Sequence, residues 1–339
     1  MKAKTWFNIG VTILTFLIGL AVLIFLIWQE GPESVEKNIV AFGLLPIIGF
    51  VCISLANFTL YSLRWQIILN SHLPKEKHIP LHKMYMHRLA GFAMSYLTPA
   101  AQVGGEPVRI AMVSTEGVSI RAATSSVVLD IAFELSAYIV FILAGVLLAI
   151  WEGLGDSNSF LIIGAGLLIL LISLVSFFAA MAYGKGFFSN IFSLLGLRRF
   201  KRLQAIDRGI RDSEHLMAEF LAGKPKRLIV VSLLSLAVIS FRIIEVFYIA
   251  YFFGVNLDFG SAFLVGTLPG IALLLPVPAG LGIFEGGFSA VFSLLGIPLS
   301  AVAFALIIRI RDAIFISLGV MFILSKGRAF VERRILKRK

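Results

Sequence analysis

Glu106 and Glu285 are the residues best suited to chemistry in an otherwise apolar chain, and the same punctuation leads into both. In Thr98-Pro99-Ala100-Ala101-Gln102-Val103-Gly104-Gly105-Glu106 and in Pro276-Val277-Pro278-Ala279-Gly280-Leu281-Gly282-Ile283-Phe284-Glu285, Pro-Ala is followed by glycines, and a glutamate falls seven residues after the proline. Proline removes a backbone donor and glycine loosens the chain, so no continuous helix runs through either stretch. In hydrocarbon, broken backbone beside an acid is tolerated only against protein or a watery cavity. Two roles are open to such a carboxylate. It can accept donors freed where the helix breaks, or it can take up and release a proton.

Other charges lie within or beside apolar runs: Arg64, Arg109, Asp130, Glu134, Arg242, Glu245, Arg309, Arg311 and Asp312. Buried charges must pair or face water. Asp130 and Glu134 stand one helical turn apart, on one face. Arg242 with Glu245, and Arg309 with Asp312, have the spacing of ion pairs within a helix. Arg64, Arg109 and Arg121 have a second option, snorkelling to the inner interface. Arginine near mid-membrane can hold a phosphate through paired donors. The candidate substrate-binding or transport set is therefore Arg64, Thr98, Pro99, Gly105, Glu106, Arg109, Asp130, Glu134, Arg242, Glu245, Pro278, Gly280, Gly282, Glu285, Arg309, Arg311 and Asp312. There is no His-Glu-x-x-His, no Gly-x-Ser-x-Gly and no phosphate-binding glycine loop with lysine, so neither an enzyme nor a cofactor is expected. His72, His78, His82 and His87 cluster in a basic juxtamembrane region and read as interfacial residues rather than metal ligands. The one cysteine, Cys52, rules out an intrachain disulfide.

These residues need a scaffold, and composition names it. Of 339 residues, 59% are hydrophobic, the signature of an all-α polytopic membrane protein rather than a soluble domain. The apolar runs are continuous rather than alternating, which excludes a β-barrel. The net charge of +11 collects at the ends of apolar runs, the topogenic pattern rather than a nucleic-acid footprint. Six full spans are expected, at about 6–28, 39–70, 121–150, 160–183, 224–253 and 298–324. The pieces flanking each proline-glycine break are too short to cross, so each pair is expected to form a re-entrant hairpin. With both termini in the cytoplasm, the loops at 30–38, 151–158 and 254–260 fall outside and hold one basic residue, Lys37, while the basic loops at 71–83 and 184–227 and the tail stay inside. That arrangement places the chain in the cell membrane. Between the fourth and fifth spans, Leu197, Phe200, Leu203, Ile206 and Ile210 recur at helical spacing and predict an amphipathic helix on the membrane surface.

The two halves echo each other. Ser62-Leu63-Arg64 matches Ser240-Phe241-Arg242 at an offset of 178, and Pro99 with Pro278, Glu106 with Glu285 and Asp130 with Arg309 all match at 179. Each unit is a span with arginine, a hairpin with proline and glutamate, then a charged span. The first hairpin is entered from inside and the second from outside, so the units are related by inversion, a recurring transporter plan. The expected organisation is an N-terminal helix (1–38), repeat 1 (39–150), a helix plus amphipathic linker (151–223), repeat 2 (224–325) and a basic tail (326–339). Asp130 and Glu134 of the first repeat are expected to pair with Arg309 of the second.

At this level the motifs resemble the flippase-like transmembrane family, which includes the membrane region of lysylphosphatidylglycerol synthase (multiple peptide resistance factor). Its late motif looks like Pro-x-Pro-Gly-Gly-x-Gly-x-x-Glu, and residues 276–285 fit it with Ala279 for the first glycine and Phe284 where a charged residue is common. The early motif resembles Thr-Pro-x-x-x-Gly-Glu-x-x-Arg with one extra residue before the glycine, carried by Thr98, Pro99, Gly105, Glu106 and Arg109. The resemblance spans roughly residues 40–325. It implies translocation of an anionic phospholipid or polyprenyl-phosphate-linked lipid, with a membrane lipid as substrate and a lipid-modifying enzyme as partner. An ion- or proton-coupled carrier of a small solute is the alternative. Oligomeric state is not set by the sequence.

Overall fold

A computed structural model describes residues 24–25, 27–29, 31–97, 104–154, 157–196, 200, 203–274 and 280–336. The described residues are helical and contain no strand. The break residues Thr98, Pro99 and Pro278 lie outside them, as does most of the expected first span.

Among the described residues, four helices are long and apolar enough to cross a membrane: Leu44–Ser71, Ile120–Trp151, Asn158–Ala182 and Pro225–Phe252. The first is α2 (Leu44–Ser71), preceded by α1 (Pro32–Phe42). One apolar run thus becomes two helices, because Gly43 between them adopts φ +80°, which interrupts helical geometry and suits glycine best. α5 (Ile120–Trp151) starts on Ser119, whose hydroxyl accepts the Ala122 amide. At 1.5 Å per residue it spans about 48 Å and serves as the scaffold's axis. α6 (Ser157–Ala182) packs beside it and exposes Ile162, Ile169 and Ile172, an apolar face suited to lipid. α9 (Pro225–Phe252) opens with proline in its first turn and packs on α2. α12 (Ala301–Leu336) continues through Arg309, Arg311 and Asp312.

Between these lie two helical hairpins. The first is α3 (Leu81–Leu97) with α4 (Gly105–Ser114). They run antiparallel, since Lys83 near the start of α3 bonds Glu116 just past α4, at 2.6 Å. Near the tip Gly91 and Gly105 touch backbone to backbone, and a Cβ on Gly105 would collide with the Gly91 carbonyl. The second hairpin is α10 (Phe259–Thr267), continued by a 3₁₀ stretch (Leu268–Leu274), with α11 (Ile283–Leu295). Asp258 caps α10 through the Ser261 amide, and Gly287 of α11 packs on Pro269.

The hairpins approach from opposite ends of α5. Lys83, Glu116 and Lys326 meet at its N-terminal end, where Arg121 also pairs with Asp212 at 2.6 Å. At its C-terminal end Glu152 lies against Gly260, at the root of the second hairpin. Aromatic packing of Phe288, Phe292 and Phe304 fixes the second hairpin to α12, while α12 crosses α3 where Gly319 meets the Leu89 carbonyl.

The linker between the fourth and fifth expected spans is helical. α7 (Phe187–Leu194) is followed by α8 (Gln204–Leu221), which docks on α5 and α6. Its buried side is Met217, Phe220 and Ser213 with Asp207 and Glu214, whereas Phe200 and Ile206 are exposed. The exposed Phe200 and Ile206 belong to the apolar spacing over 197–210, and the contacts with the bundle are made further along the helix. Glu214 accepts the Ser189 amide, which favours the polar side turning inward.

Candidate functional site: a charged chamber between the hairpins

Asp130 lies in α5 with no exposed surface. It accepts from Arg64 Nε at 2.8 Å, from Arg88 Nη1 at 2.8 Å and from Arg109. One turn on, Glu134 accepts from Arg64 Nη2 at 2.7 Å and Arg88 Nη2 at 3.0 Å. Two guanidinium forks thus each bridge both carboxylates, a geometry that suits arginine and not lysine. The arginines come from α2, α3 and α4, so this knot ties the first hairpin to α5. Aromatic faces complete it: Arg109 lies 4.1 Å from the Trp65 ring centroid and Arg88 4.6 Å from that of Tyr61.

A second group gathers on α9, α11 and α12. Glu285 sits in the first turn of α11. Its Oε2 accepts the Gly282 amide at 2.8 Å, and its Oε1 accepts from Arg309 Nε at 2.7 Å. Gly282 and Gly280 hold φ +75° and +61°, left-handed values that bring the Gly282 amide and the Gly280 carbonyl to this pair. Arg309 Nη2 donates to that carbonyl at 3.3 Å. Glu245 accepts from Ser54 Oγ at 2.6 Å and from Arg311 Nη1 at 3.3 Å, and Arg311 Nε donates to Asp312 Oδ1 at 3.0 Å. Tyr96 of the first hairpin donates to Asp312 Oδ2 at 2.9 Å.

Several sequence expectations change. Asp130 and Glu134 do not pair with Arg309 across the halves. Arg64, Arg88, Arg109, Arg309 and Arg311 find carboxylates in their own half, and the halves are joined instead through Ser54–Glu245 and Tyr96–Asp312. Arg64 and Arg109 do not snorkel; both are buried in the knot. Arg242 and Glu245 share a helix without an ion pair, and the Arg309–Asp312 contact, at 3.9 Å, is secondary to Arg309–Glu285. Gly105 marks the hairpin approach and has no polar side chain to offer. Arg88, Tyr61, Ser54 and Tyr96 escaped the sequence reading, although Arg88 could have been flagged as a charge inside the apolar run 85–97.

Between the two groups lies a cavity of about 380 Å³ reached by both hairpins. Arg88, Arg109, Glu106, Glu134, Arg242, Glu245, Arg309, Arg311 and Asp312 all contribute to its wall. Two of these stand out. Arg242 lies over the Tyr138 ring at 4.7 Å, and among the described residues no carboxylate comes within ion-pair distance of it. Glu106 keeps a buried Oε2 without a hydrogen-bond partner, and Asn57 has a buried Oδ1 in the same condition. Unsatisfied buried polar atoms cost free energy, so a chamber that keeps them is poised for a polar guest.

Among the described residues no cluster of histidine, cysteine and carboxylate is arranged to hold a metal. His72 bonds Ser125 Oγ at 3.2 Å, and His87 is buried beside Phe322.

Apolar spanning helices around a charged interior define a multi-pass helical membrane protein. The sequence profile of the lysylphosphatidylglycerol synthase TM region matches residues 12–319, and the chain belongs to that family. Two relatives are archaeal. A UPF0104 membrane protein of Methanothermobacter thermautotrophicus is 26% identical over 305 residues, covering 86% of this chain and 88% of the relative. A UPF0104 membrane protein of Pyrococcus horikoshii is 24% identical over 301 residues, covering 84% and 87%.

Proposed function

We propose that this protein moves a phosphate-bearing lipid between membrane leaflets by alternating access, without chemical turnover of the lipid. The observation that carries this reading is the chamber: about 380 Å³ of space lined by charged side chains inside an apolar bundle, holding an arginine with no carboxylate within ion-pair distance among the described residues. A headgroup phosphate is the anion such an arginine suits, while acyl chains remain in lipid. The family membership supports the same substrate class.

In the membrane, the chain has six spans and two re-entrant hairpins, with both termini cytoplasmic in the cell membrane. Hairpins rooted at opposite ends of α5 support that placement. Each repeat brings one hairpin to the chamber, and rocking of one repeat against the other opens it to alternate leaflets. Ser54–Glu245 and Tyr96–Asp312 are the contacts that such rocking must remake. A membrane lipid is the substrate and a lipid-modifying enzyme acts beside it; nucleic acid is not a partner.

The test is reconstitution in liposomes carrying fluorescent phospholipids, with a membrane-impermeant reductant outside. Wild type should speed loss of the protected inner-leaflet signal, and Arg242→Gln should slow it strongly. Equal rates with and without protein, together with counterflow of a soluble organic anion, would replace this reading with that of a small-solute carrier.

A further inference from the structure

Six arginines and six carboxylates surround the chamber: Arg64, Arg88, Arg109, Arg242, Arg309 and Arg311 against Glu106, Asp130, Glu134, Glu245, Glu285 and Asp312. With every group ionised they balance, yet Arg242 and one oxygen of Glu106 are left over. The internal repeat explains why. In the first half Arg64 binds Asp130. The sequence offset carries these positions onto Arg242 and Arg309, two like charges that cannot bind each other. Arg309 turns instead to Glu285. The position matching Glu285 is Glu106, and the position matching Arg309 is Asp130, so the first half offers Glu106 no counterpart of the Arg309 cation at that place. One exchange of charge between the repeats therefore strips a partner from one arginine and one glutamate, and both line the same cavity.

Resting on the lipid-transport reading, we infer that a phosphate-bearing headgroup binds at Arg242 together with one proton, and that the proton resides on Glu106. An added monoanion would otherwise leave the balanced chamber with a net negative charge in a poorly solvated interior. A proton taken from water onto the Glu106 carboxylate restores neutrality. Glu106 is the acid placed to accept it. The charged groups facing it are Arg109 on its own helix, Arg88 on α3 and Glu134 on α5. Both arginines are already committed to Asp130, and Arg88 also to Glu134. Glu285 does not share the role, because both of its oxygens already accept hydrogen bonds, one from a guanidinium. The two hairpin glutamates are thus specialised, one as a cap and ion-pair partner, the other as the proton carrier.

Calorimetric titration of the purified full chain in detergent tests this. The probe is dihexanoyl phosphatidylglycerol, run at one pH in HEPES and in Tris, whose ionisation enthalpies differ and neither of which carries a phosphate. Wild type should take up about one proton per bound lipid, and affinity should fall about tenfold per pH unit over the range where uptake is complete. Glu106→Gln should bind with little proton exchange and a flat pH profile, while Glu285→Gln should keep the proton uptake. Lipid binding by wild type without proton uptake, or uptake that survives in Glu106→Gln, overturns the proposal and leaves the transport reading standing. Tighter binding of dihexanoyl phosphatidylethanolamine without proton exchange also overturns it, by showing that Glu106 receives an amine. If Glu106→Gln does not fold, the wild-type proton count and pH slope decide alone. Failure of wild type to bind the probe overturns the proposal; loss of translocation in liposomes as well would remove the transport reading beneath it.

Discussion

Asp130→Asn is the most informative perturbation of the scaffold. The carboxylate is fully buried and accepts from three arginines on three helices. Asparagine keeps the shape but removes the charge, and its amide nitrogen cannot accept from a guanidinium. Glu134 still holds Arg64 and Arg88, so the largest deficit falls on Arg109, which among the described residues forms an ion pair with Asp130 alone. Breaking one buried pair by removing a partner costs about 3–5 kcal/mol. Arg109 anchors α4, so the loss should open the first hairpin first. In detergent, the apparent melting temperature should drop by at least ~5 °C. Because the pair is buried, added salt should rescue little of it. Adding Arg109→Met to Asp130→Asn should recover part of the loss, since the stranded cation is gone. A single variant that melts within a degree of wild type would refute the reasoning that this knot holds the hairpin.

Two further outcomes follow from local geometry. Gly105→Ala should cost about 1–3 kcal/mol by overpacking, because its Cβ meets the Gly91 carbonyl and Ser95, whereas Gly166→Ala, with open space around it, should melt like wild type. His72 lies just past α2, and burial, reinforced by the Arg227 charge, lowers its pKa to about 4. Its folded pKa is below the ordinary 6.5, so the contribution is fully present above pH 6.5 and is lost as pH falls toward 4, by up to about 3 kcal/mol. Melting curves between pH 7.5 and 5 should show that slope in wild type and a shallower one in His72→Gln.

The sequence made the broad architecture legible because hydrophobic length and charge placement are properties of single segments. Proline and glycine at the breaks announced Glu106 and Glu285, and the first turn of α11 explains why Glu285 needs Gly282 beside it. Pairing was not legible, since it depends on which helices meet. Asp130 matches Arg309 by offset, yet its partners include Arg88, which sits in a run otherwise read only for its apolar length. The linker helix shows the same limit: Met217, Phe220 and Glu214 make its contacts with the bundle, and the apolar spacing over 197–210 does not reach them. The single run 39–70 divides because one residue, Gly43, adopts positive φ, which periodicity does not register.

The proposed transport cycle requires the two hairpins to enter the bilayer from opposite faces, and cysteine accessibility measures this directly. In a Cys52→Ser background, single cysteines replace Lys77, near the root of the first hairpin, and Asn256, near the root of the second; both positions are exposed. An impermeant maleimide applied to intact cells should label position 256 and reach position 77 only after the membrane is opened. Labelling of both positions from the same side would contradict opposed entry, and with it the alternating-access mechanism.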